Sequence, residues 1–378
     1  MALAFDAPGR HHVVTEATTE ATTEPAVTAV AVTAVPAVTA VVVVHGSPES
    51  IVRASVQSLL DSVGVDVKVV LVDNASPDGG AACAPWRDTD RVTLVCSERN
   101  DGFAAGVNQG LVHRRHGDLI WLLNDDATVA PDCIAICAAA LAAARDAVVV
   151  APRVMLANEP DRIDSIGVVL RPNGEAFNAY IGQRWSDQVA DRARIFGPCF
   201  SAALFRPDAF EPTSVGPIDE RYRLYYEDID WDLRAARLGM HAIAATTAVV
   251  SHQHAGSTRL LGEPARYELV QRNLLLCATK NLSARSIARI WASRLIVQAK
   301  GVIKGPMRLE RLRSLGRAAL GVPSALIARR GLPRSAATAV DESSLFAFAE
   351  GLSPNFSADT YATLDATVDA TLDATVSD

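Results

Sequence analysis

The sequence has few cysteines, and no two of them form a close pair. The six cysteines among 378 residues include no Cys-x-x-Cys motif and fall far short of the density of a secreted disulfide framework. Cys133 and Cys137 lie one helical turn apart in an Ala-rich apolar stretch, where a buried free thiol is the common state. The cysteines therefore predict no structural zinc site and favour a reducing, cytoplasmic compartment.

A strong excess of either charge is also lacking. The formal net charge of -7 argues against nucleic acid as a partner of the whole chain. The apolar stretch 26–44 follows Glu16, Glu20 and Glu24 instead of a basic segment, and Pro36 interrupts it. We therefore expect neither a signal peptide nor a membrane span there, and we expect its last part to form a strand.

Phosphate-binding glycine loops are missing after that first predicted strand. Residues 45–50 contain neither a Gly-x-Gly-x-x-Gly fingerprint nor a Gly-rich loop that bears Lys or Arg. The first absence excludes a Rossmann dinucleotide-binding domain. The second argues against a nucleotidyltransferase, which stays open as an alternative enzyme.

Both ends of the chain have low complexity. Residues 1–37 repeat Thr, Ala, Val and Glu without a helical period, and the chain from Tyr361 onward repeats Ala-Thr-Leu-Asp and Ala-Thr-Val-Asp. Such segments cannot bury enough surface to offset the entropy lost on ordering. We expect residues 1–37 and 336–378 to be unstructured and to carry no chemistry.

Between residues 38 and 260 the chain alternates short apolar runs with amphipathic stretches. This pattern is typical of an α/β fold with a mostly parallel central sheet flanked by helices. Because the apolar runs are apolar on both faces, helices should cover both sides of the sheet. The pattern predicts strands at 41–44, 67–72, 92–96 and 119–123, helices at 51–62 and 106–113, and a helical segment at 261–335.

Polar side chains follow the second and the fourth predicted strands. Asp73 and Asn74 end the second strand, and Asn124, Asp125 and Asp126 end the fourth. In open α/β sheets, ligands bind at the carboxyl ends of the strands. Adjacent carboxylates there suit Mg²⁺ or Mn²⁺, which take oxygen ligands and bridge to diphosphate oxygens. The alternatives are a structural turn at Asp73 and a solvated acidic turn in which Asp126 caps the next helix.

Two further segments carry candidate functional residues. Residues 100–110 have glycines at every fourth position from Gly102, which place a helix N-terminus near an anionic ligand or serve packing alone. Residues 224–234 hold four carboxylates, whose burial and mutual repulsion raise pKa values and make one of them a candidate general base. The alternative is that these acids favour a helix N-terminus, and we prefer that interpretation for Asp232.

Two histidines follow a short apolar run near residue 250. His252 and His254 enter a loop rich in Gly and Ser, where a histidine can complete a metal site begun by a distant aspartate. The alternative for either side chain is a hydrogen-bonded structural histidine.

Five segments together carry a resemblance to a known family. In order they are Val-Asp-Asn-Ala-Ser-Pro-Asp-Gly, Asn-Asp-Gly-Phe-Ala-Ala-Gly-Val-Asn, Leu-Leu-Asn-Asp-Asp, Tyr-Glu-Asp-Ile-Asp-Trp-Asp-Leu-Arg and Ser-His-Gln-His. Over residues 38–282 the chain resembles family 2 glycosyltransferases, and in particular the bacterial rhamnosyltransferase-like and galactofuranosyltransferase-like members. The resemblance implies a GT-A fold over 38–260, with the nucleotide-sugar part at 38–130 and the acceptor and catalytic part at 131–260.

The resemblance also implies a role for each matching residue. Asp73, with Asn74 beside it, matches the aspartate that binds the base or ribose of the nucleotide. The segment that lines the same pocket is matched by Asn100, Gly102 and Asn108.

The remaining matches concern the metal and the reaction. Asp126 matches the metal-binding end of the family's Asp-x-Asp motif, Asp125 takes the middle position, and Asn124 replaces the first aspartate as a contact to the nucleotide sugar. Asp228 matches the catalytic base, and His252 matches a histidine that joins the metal shell.

The activity implied is a metal-dependent, inverting transfer of rhamnose or another hexose from a nucleotide-diphosphate sugar. The implied acceptor is a hydroxyl of a glycan or lipid-linked glycan in cell-envelope polysaccharide synthesis. A non-catalytic carbohydrate-binding relative of the same fold is the alternative from another class.

The predicted helical segment 261–335 is strongly basic. It holds about fifteen Lys and Arg residues with few acids, interleaved with large apolar residues such as Ile290, Trp291 and Leu295. Such a segment predicts peripheral contact with the anionic inner face of the plasma membrane. An ordinary helical cap with a solvated basic face is the alternative.

Overall fold

The structure, a computed structural model, describes residues 35–190, 195–254, 261–332 and 341–352. The strands are β1 (Ala37–Val44), β2 (Asp66–Asp73), β3 (Val92–Cys96), β4 (Leu119–Asn124), β5 (Ala127–Val129), β6 (Ala147–Leu156), β7 (Ile163–Ser165), β8 (Val168–Leu170), β9 (Ala176–Asn178), β10 (Ala202–Phe205) and β11 (His241–His252). The helices are α1 (Glu49–Leu60), α2 (Phe103–Val112), α3 (Cys133–Ala143), α4 (Asp187–Ala190), α5 (Glu227–Arg237), α6 (Glu263–Asn281), α7 (Ala284–Lys304), α8 (Arg308–Arg330) and α9 (Glu342–Ala347), with short 3-10 helices at Ala84–Trp86 and Glu220–Tyr222.

One large mixed sheet organises the described part of the chain. Its nine strands follow the order β3-β2-β1-β4-β10-β6-β11-β5, with β7 beside β6, and β8 and β9 pair separately. Strands β1 to β4 run parallel to one another, whereas β10 is antiparallel to both of its neighbours and β5 is antiparallel to β11. The predicted α/β fold with its central sheet is therefore confirmed, and its first four strands lie where the apolar runs indicated.

The sheet is covered by helices on both faces because its strands are apolar on both faces. Along β1, Val42 and Val44 belong to the core under α1 and α3, while Val41 and Val43 belong to the core under α2 and α5. Cys133 and Cys137 lie buried on α3 as free thiols, as predicted.

Glycines let α2 lie directly on the sheet. A Cβ at Gly106 would lie 2.6 Å from Val43 Cγ1, and one at Gly110 would lie 2.5 Å from Val41 Cγ1. The structure therefore favours the packing interpretation for these two glycines.

Helices α6 to α8 occupy most of the range predicted to be helical, and they build a further core with α5. Helix α9 lies inside the range 336–378 that the sequence predicted to be unstructured, so that prediction is wrong for residues 342–347. Leu345 and Ala349 are buried there, which supplies the apolar contact that composition alone did not indicate. Residues 1–34, 336–340 and 353–378, on which the other tail predictions fall, lie outside the described residues.

Across the described ranges, the structure has no helix with both the length and the apolar character needed to cross a bilayer.

Candidate functional site

The carboxyl ends of β1, β2 and β4 meet at one edge of the sheet. In the parallel registers, Val44 pairs with Asp73 and Val43 pairs with Asn124. Because neighbouring strands lie about 4.8 Å apart, Asp73 and Asn124 flank β1 about 10 Å from each other. Both polar clusters singled out in the sequence thus lie at the same edge.

Asp73 is buried at the tip of β2 in a fixed position. Its Oδ1 accepts a hydrogen bond of 3.0 Å from the backbone N–H of Ser76. Its Oδ2 lies against Gly80, where any Cβ would overlap with it. The carboxylate is therefore a preoriented hydrogen-bond acceptor at the sheet edge.

Asn74, Asn100 and Gly102 form one hydrogen-bonded group beside Asp73. Asn74 Nδ2 donates to Asn100 Oδ1 over 3.2 Å and to Gly102 O over 3.1 Å. Asn74 Oδ1 is buried without a hydrogen-bond partner among the described residues. Gly102 has a φ of 98°, and a Cβ there would lie 2.6 Å from Arg223 O, so only glycine fits. The group presents an unused acceptor next to Asp73.

Asn108 makes hydrogen bonds to the segment before α5. On α2, its Nδ2 donates to Ile218 O and to Glu220 Oε1, and its Oδ1 accepts from Ile218 N over 3.0 Å. These bonds use the whole amide to join α2 to the segment before α5. That Asn108 also lines the nucleotide pocket stays a prediction.

The turn between β4 and β5 carries Asn124, Asp125 and Asp126. Ser47 Oγ donates a hydrogen bond of 2.6 Å to Asp125 Oδ2, which links this turn to the end of β1. Burial, together with the neighbouring charge of Asp126, raises the pKa of Asp125 to about 7. Asp125 is therefore a buried carboxylate whose charge a nearby cation would stabilise.

Asp126 lies against His252 at the end of β11. Asp126 Oδ1 and His252 Nε2 are 3.0 Å apart, and Asn124 Nδ2 is 3.4 Å from the same nitrogen. His252 Nδ1 is 2.7 Å from Asp164 Oδ2, and His254 Nε2 is 3.1 Å from Asp164 Oδ1. Residues far apart in sequence thus form one chain of contacts, Asp126 to His252 to Asp164 to His254.

Charge stabilises this chain of contacts. Burial alone would raise the pKa of Asp164, but the two histidines outweigh it and hold that pKa well below its usual range. Burial alone would lower the pKa of His252, but Asp126 and Asp164 outweigh it and raise that pKa.

The geometry fits a divalent cation between Asp126 and His252. Ligand atoms at about 2.1 Å from an octahedral ion lie about 3 Å from one another, which is the separation of Asp126 Oδ1 and His252 Nε2. A hydrogen bond from Nδ1 to Asp164 would leave Nε2 free to bind the ion, as in carboxylate–histidine–metal arrangements. Asp164, His252 and His254 form a second group with suitable spacing, since their ligand atoms lie within 4.8 Å of one another.

Sequence reasoning missed Asp164 and did not choose His254. Asp164 is fully buried in the short strand β7, and the signal that could have found it is a lone acid between Ile163 and Ile166. His254 was singled out only as a neighbour of His252. The contact of both histidines with one carboxylate depends on how β7 and β11 pair with β6.

Asp228 lies in the first turn of α5, at the same edge. Its Oδ1 accepts a hydrogen bond of 2.8 Å from Ile229 N, and the backbone amide of Phe200 also donates to the carboxylate. Ser201, which follows Phe200, accepts a hydrogen bond of 2.9 Å from Asn124 N through its carbonyl oxygen. Phe200 and Ser201 therefore connect Asp228 to the end of β4. Burial raises the pKa of Asp228 to about 6, which suits a proton acceptor near neutral pH.

The other acids of α5 have separate environments. Asp230 is bound by Tyr222, Arg234, Lys280 and Asn281, which makes it a structural residue. Asp232 is buried against Gly197 with no hydrogen-bond partner among the described residues, and burial raises its pKa well above the usual range. Asp232 lies beyond the first turn of α5, so it departs from the helix N-terminal acid that the sequence favoured.

A strained turn leads into α5. Arg223 has φ 64° and ψ -61°, and Leu224 N donates to Tyr222 O over 2.8 Å, which defines a γ-turn. Tyr225 and Tyr226 also have positive φ values, of 67° and 70°. Such conformations cost of order 1–3 kcal/mol each and persist only where the surroundings impose them.

Asn273 on α6 holds this turn in place. Its Nδ2 lies within 2.8–2.9 Å of the carbonyl oxygens of Tyr222, Leu224 and Tyr225. Arg223 in turn donates to Asn100 O over 2.9 Å. The C-terminal helices therefore position the turn that joins the Asn100 segment to Asp228.

The mixed sheet, covered by helices on both faces and with Asp73, Asp126 and His252 at one edge, has the architecture of the GT-A fold. The family model described as "Glycosyl transferase family 2" matches residues 39–211. Residues 39–211 thus carry a family 2 glycosyltransferase domain, which confirms the resemblance. Asp228 and His252 lie beyond the matched residues.

Two known proteins resemble the chain over different extents. It is 40% identical over 102 residues to the succinoglycan biosynthesis protein ExoO of Rhizobium meliloti (strain 1021), a match that spans 27% of this chain and 29% of that protein. It also resembles the crystal structure of GalNAc-T7 with UDP, GalNAc and Mn²⁺, with a TM-score of 0.55, 13% identity, and coverage of 79% of this chain and 59% of that one. The chain thus spans less than two thirds of either protein, and the second likeness shows the fold.

Proposed function

We propose that this protein is a metal-dependent, inverting glycosyltransferase that moves a hexose from a nucleotide-diphosphate sugar to an acceptor hydroxyl. The observation that carries the proposal is the joint position of Asp126, His252 and Asp228 at one sheet edge. The family assignment supports the reaction class, and ExoO, named for succinoglycan biosynthesis, supports a role in polysaccharide synthesis.

The donor nucleotide binds at the group formed by Asp73, Asn74, Asn100 and Gly102. Asp73 offers a fixed carboxylate to base or ribose hydrogen-bond donors, and the unused Asn74 Oδ1 offers a second acceptor. GalNAc-T7 was crystallised with a uridine nucleotide, which makes UDP a first probe here.

Asp126 and His252 would hold Mg²⁺ or Mn²⁺, with Asp125 and Asn124 beside them. When bound, the ion supplies positive charge that stabilises the diphosphate leaving group. Asp164 accepts from His252 Nδ1 and so keeps the ring oriented, with Nε2 toward Asp126.

Asp228 accepts the proton of the acceptor hydroxyl while the oxygen attacks the anomeric carbon opposite to the leaving group. A carboxylate with a pKa near 6 is ionised at neutral pH and is still basic enough to share the proton in the transition state. This single displacement inverts the anomeric configuration and forms no covalent enzyme intermediate.

The acceptor we propose is a glycan or a lipid-linked glycan, with the protein placed at the cytoplasmic face of the membrane. The basic helices α7 and α8 support this location, because they carry exposed cations beside exposed apolar side chains.

Two variants test the proposed roles. We expect Asp228→Asn to bind UDP and Mn²⁺ like the wild type but to lose transfer by about 10²–10⁴-fold. We expect Asp126→Ala to lose Mn²⁺-dependent UDP binding. Glu49→Gln on the exposed start of α1 is the control. Retained transfer in Asp228→Asn would remove the base assignment.

Donor turnover separates the proposal from its rivals. A glycosyltransferase hydrolyses a nucleotide sugar slowly with Mn²⁺ and not without it, and releases a nucleoside diphosphate. A nucleotidyltransferase would release pyrophosphate or a nucleoside monophosphate instead, and a non-catalytic relative would bind without turnover.

A further inference from the structure

The connection between α7 and α8 exposes large apolar side chains. We name residues 303–313 the hairpin tip. Within it Ile303, Leu309 and Leu312 are 68%, 51% and 55% exposed. Isolated exposed apolar residues are ordinary, but three within one short segment mark a surface that meets a partner.

The hairpin tip is also basic. Lys304, Arg308 and Arg313 are exposed beside the apolar residues. The range 284–330 is fully described, and it contains eleven Lys and Arg residues but a single acid, the half-buried Glu310. The partner should therefore offer both negative charge and an apolar layer.

The apolar surface continues along α8. Leu320 and Ile327 are 82% and 67% exposed, and they follow Leu309 by eleven and eighteen residues. At 3.6 residues per turn these intervals are about three and five whole turns, so the three side chains share one face of the helix. We name this face the α8 stripe.

The hairpin tip has a fixed shape because one of its cations turns inward. Arg311 Nε donates to Pro306 O over 3.0 Å, and Arg311 Nη1 donates to Gln298 Oε1 over 3.1 Å. The guanidinium also lies 5.0 Å from the ring of Tyr267 on α6, in the space that the missing Cβ of Gly301 leaves. The tip is thus tied to the preceding helices while its other cations face solvent.

We propose that the hairpin tip and the α8 stripe dock on an anionic phospholipid surface. Leucine and isoleucine side chains enter the boundary between headgroups and acyl chains while lysine and arginine bind the phosphates. A second copy of the chain would bring like charges together, and nucleic acid would leave the apolar side chains in water. The proposal deepens the membrane location proposed above by naming the docking surface, and it does not depend on the transfer chemistry.

Sedimentation of the full chain with lipid vesicles tests this docking surface. We expect binding to vesicles of phosphatidylcholine with phosphatidylglycerol and little binding to phosphatidylcholine alone, with the bound fraction falling at high salt. We expect Ile303→Ser/Leu309→Ser/Leu312→Ser and, separately, Lys304→Gln/Arg308→Gln/Arg313→Gln to weaken vesicle binding by about tenfold or more each.

Matched controls carry equal changes elsewhere. Val63→Ser/Val112→Ser removes apolar side chains that are 55% and 77% exposed outside these helices, and it should bind vesicles like the wild type. Lys68→Gln/Arg87→Gln/Arg145→Gln removes three exposed cations of the sheet domain and should also bind normally. Mn²⁺-dependent UDP binding should be unchanged in every variant, so a failure of docking is distinguishable from a failure of the proposed reaction.

Three outcomes would overturn the proposal. Equal vesicle binding by the tip variants and their controls would show that the surface does not dock. A wild-type dimer that the apolar triple variant abolishes, without vesicle binding by either, would assign the surface to a second copy. RNA binding that is lost in the cationic variant and kept in the apolar one, again without vesicle binding, would assign it to nucleic acid.

Discussion

Asp228 owes its proposed role to its surroundings. Two later acids of the same helix have different surroundings. Asp230 pairs with the cations Arg234 and Lys280, and Asp232 is buried without a hydrogen-bond partner among the described residues. Asp228 alone combines partial exposure with two backbone hydrogen bonds that stabilise its charged form.

The pKa of Asp228 predicts a pH dependence. The reaction needs the carboxylate form, so kcat at saturating donor and Mn²⁺ should be constant at high pH and should fall tenfold per unit below about pH 6. Steady-state rates between pH 5 and 8 check this, with donor affinity measured separately because Asp125 titrates near pH 7. A kcat that stays constant down to pH 5 would contradict the assignment.

The contact between Asp164 and His252 predicts that changes at Asp164 lower the affinity for Mn²⁺. If it orients His252, Asp164→Ala should weaken Mn²⁺ binding by about 10–100-fold, whereas Asp164→Asn should retain more affinity because its amide oxygen still accepts from Nδ1. Electron paramagnetic resonance of free Mn²⁺ measures this without turnover. Asp161→Ala, a change at an exposed neighbour, is the control.

The same measurement tests the second possible position of the ion. If Asp164, His252 and His254 were the ligands, His254→Ala would weaken Mn²⁺ binding strongly and Asp126→Ala would leave it unchanged. We expect the reverse order.

At the scale of elements, the site depends on helix α6 as much as on the sheet. The strained turn 222–226 lies between the Asn100 segment and α5, and its carbonyl oxygens converge on Asn273. Without those bonds the positive φ values of Tyr225 and Tyr226 would relax, and Asp228 would move with the start of α5.

We therefore predict that Asn273→Asp, which keeps the shape but removes the N–H donors, lowers kcat by about tenfold or more. The KM for donor should change less, because Asp73 and Asn74 are held by other contacts. Gln271→Ala, which removes a contact of the same helix to Gln298, is the matched control. Equal losses in the two variants would indicate a general loss of stability instead of a positioning role.

At the scale of the whole molecule, donor and ion should stabilise the fold together. The ligands that we propose for them lie at the ends of β2, β4 and β11, so binding would join strands from both halves of the sheet. A ligand at a hundred times its Kd adds about 2.7 kcal/mol to the free energy of unfolding.

Thermal unfolding should report this linkage. UDP with Mn²⁺ should raise Tm by several degrees, EDTA should reverse the increase, and Mn²⁺ alone should have a smaller effect. Comparison with GDP and dTDP identifies the preferred base. The same increase in Asp126→Ala would contradict the proposed ion position.

The amino-acid sequence by itself determined the first half of the sheet and the identity of most candidate residues. Apolar runs with strand-end Asp73 and Asp126 are local patterns, because a buried strand needs apolar side chains and a ligand edge needs polar ones. The order of these local motifs sufficed to indicate the family. The basic and apolar character of 261–335 was likewise visible in composition, whereas which of its apolar side chains are exposed was not.

Only the tertiary structure decided which residues meet. Asp164 reaches His252 because β7 and β11 both pair with β6, and Asn108 bonds to Ile218 and Glu220 because the segment before α5 returns to α2. Helix α9 forms within the low-complexity C-terminal tail because Leu345 packs into the apolar core that α5 and α6 share. Such outcomes depend on long-range packing and register, and a pattern read along the chain contains neither.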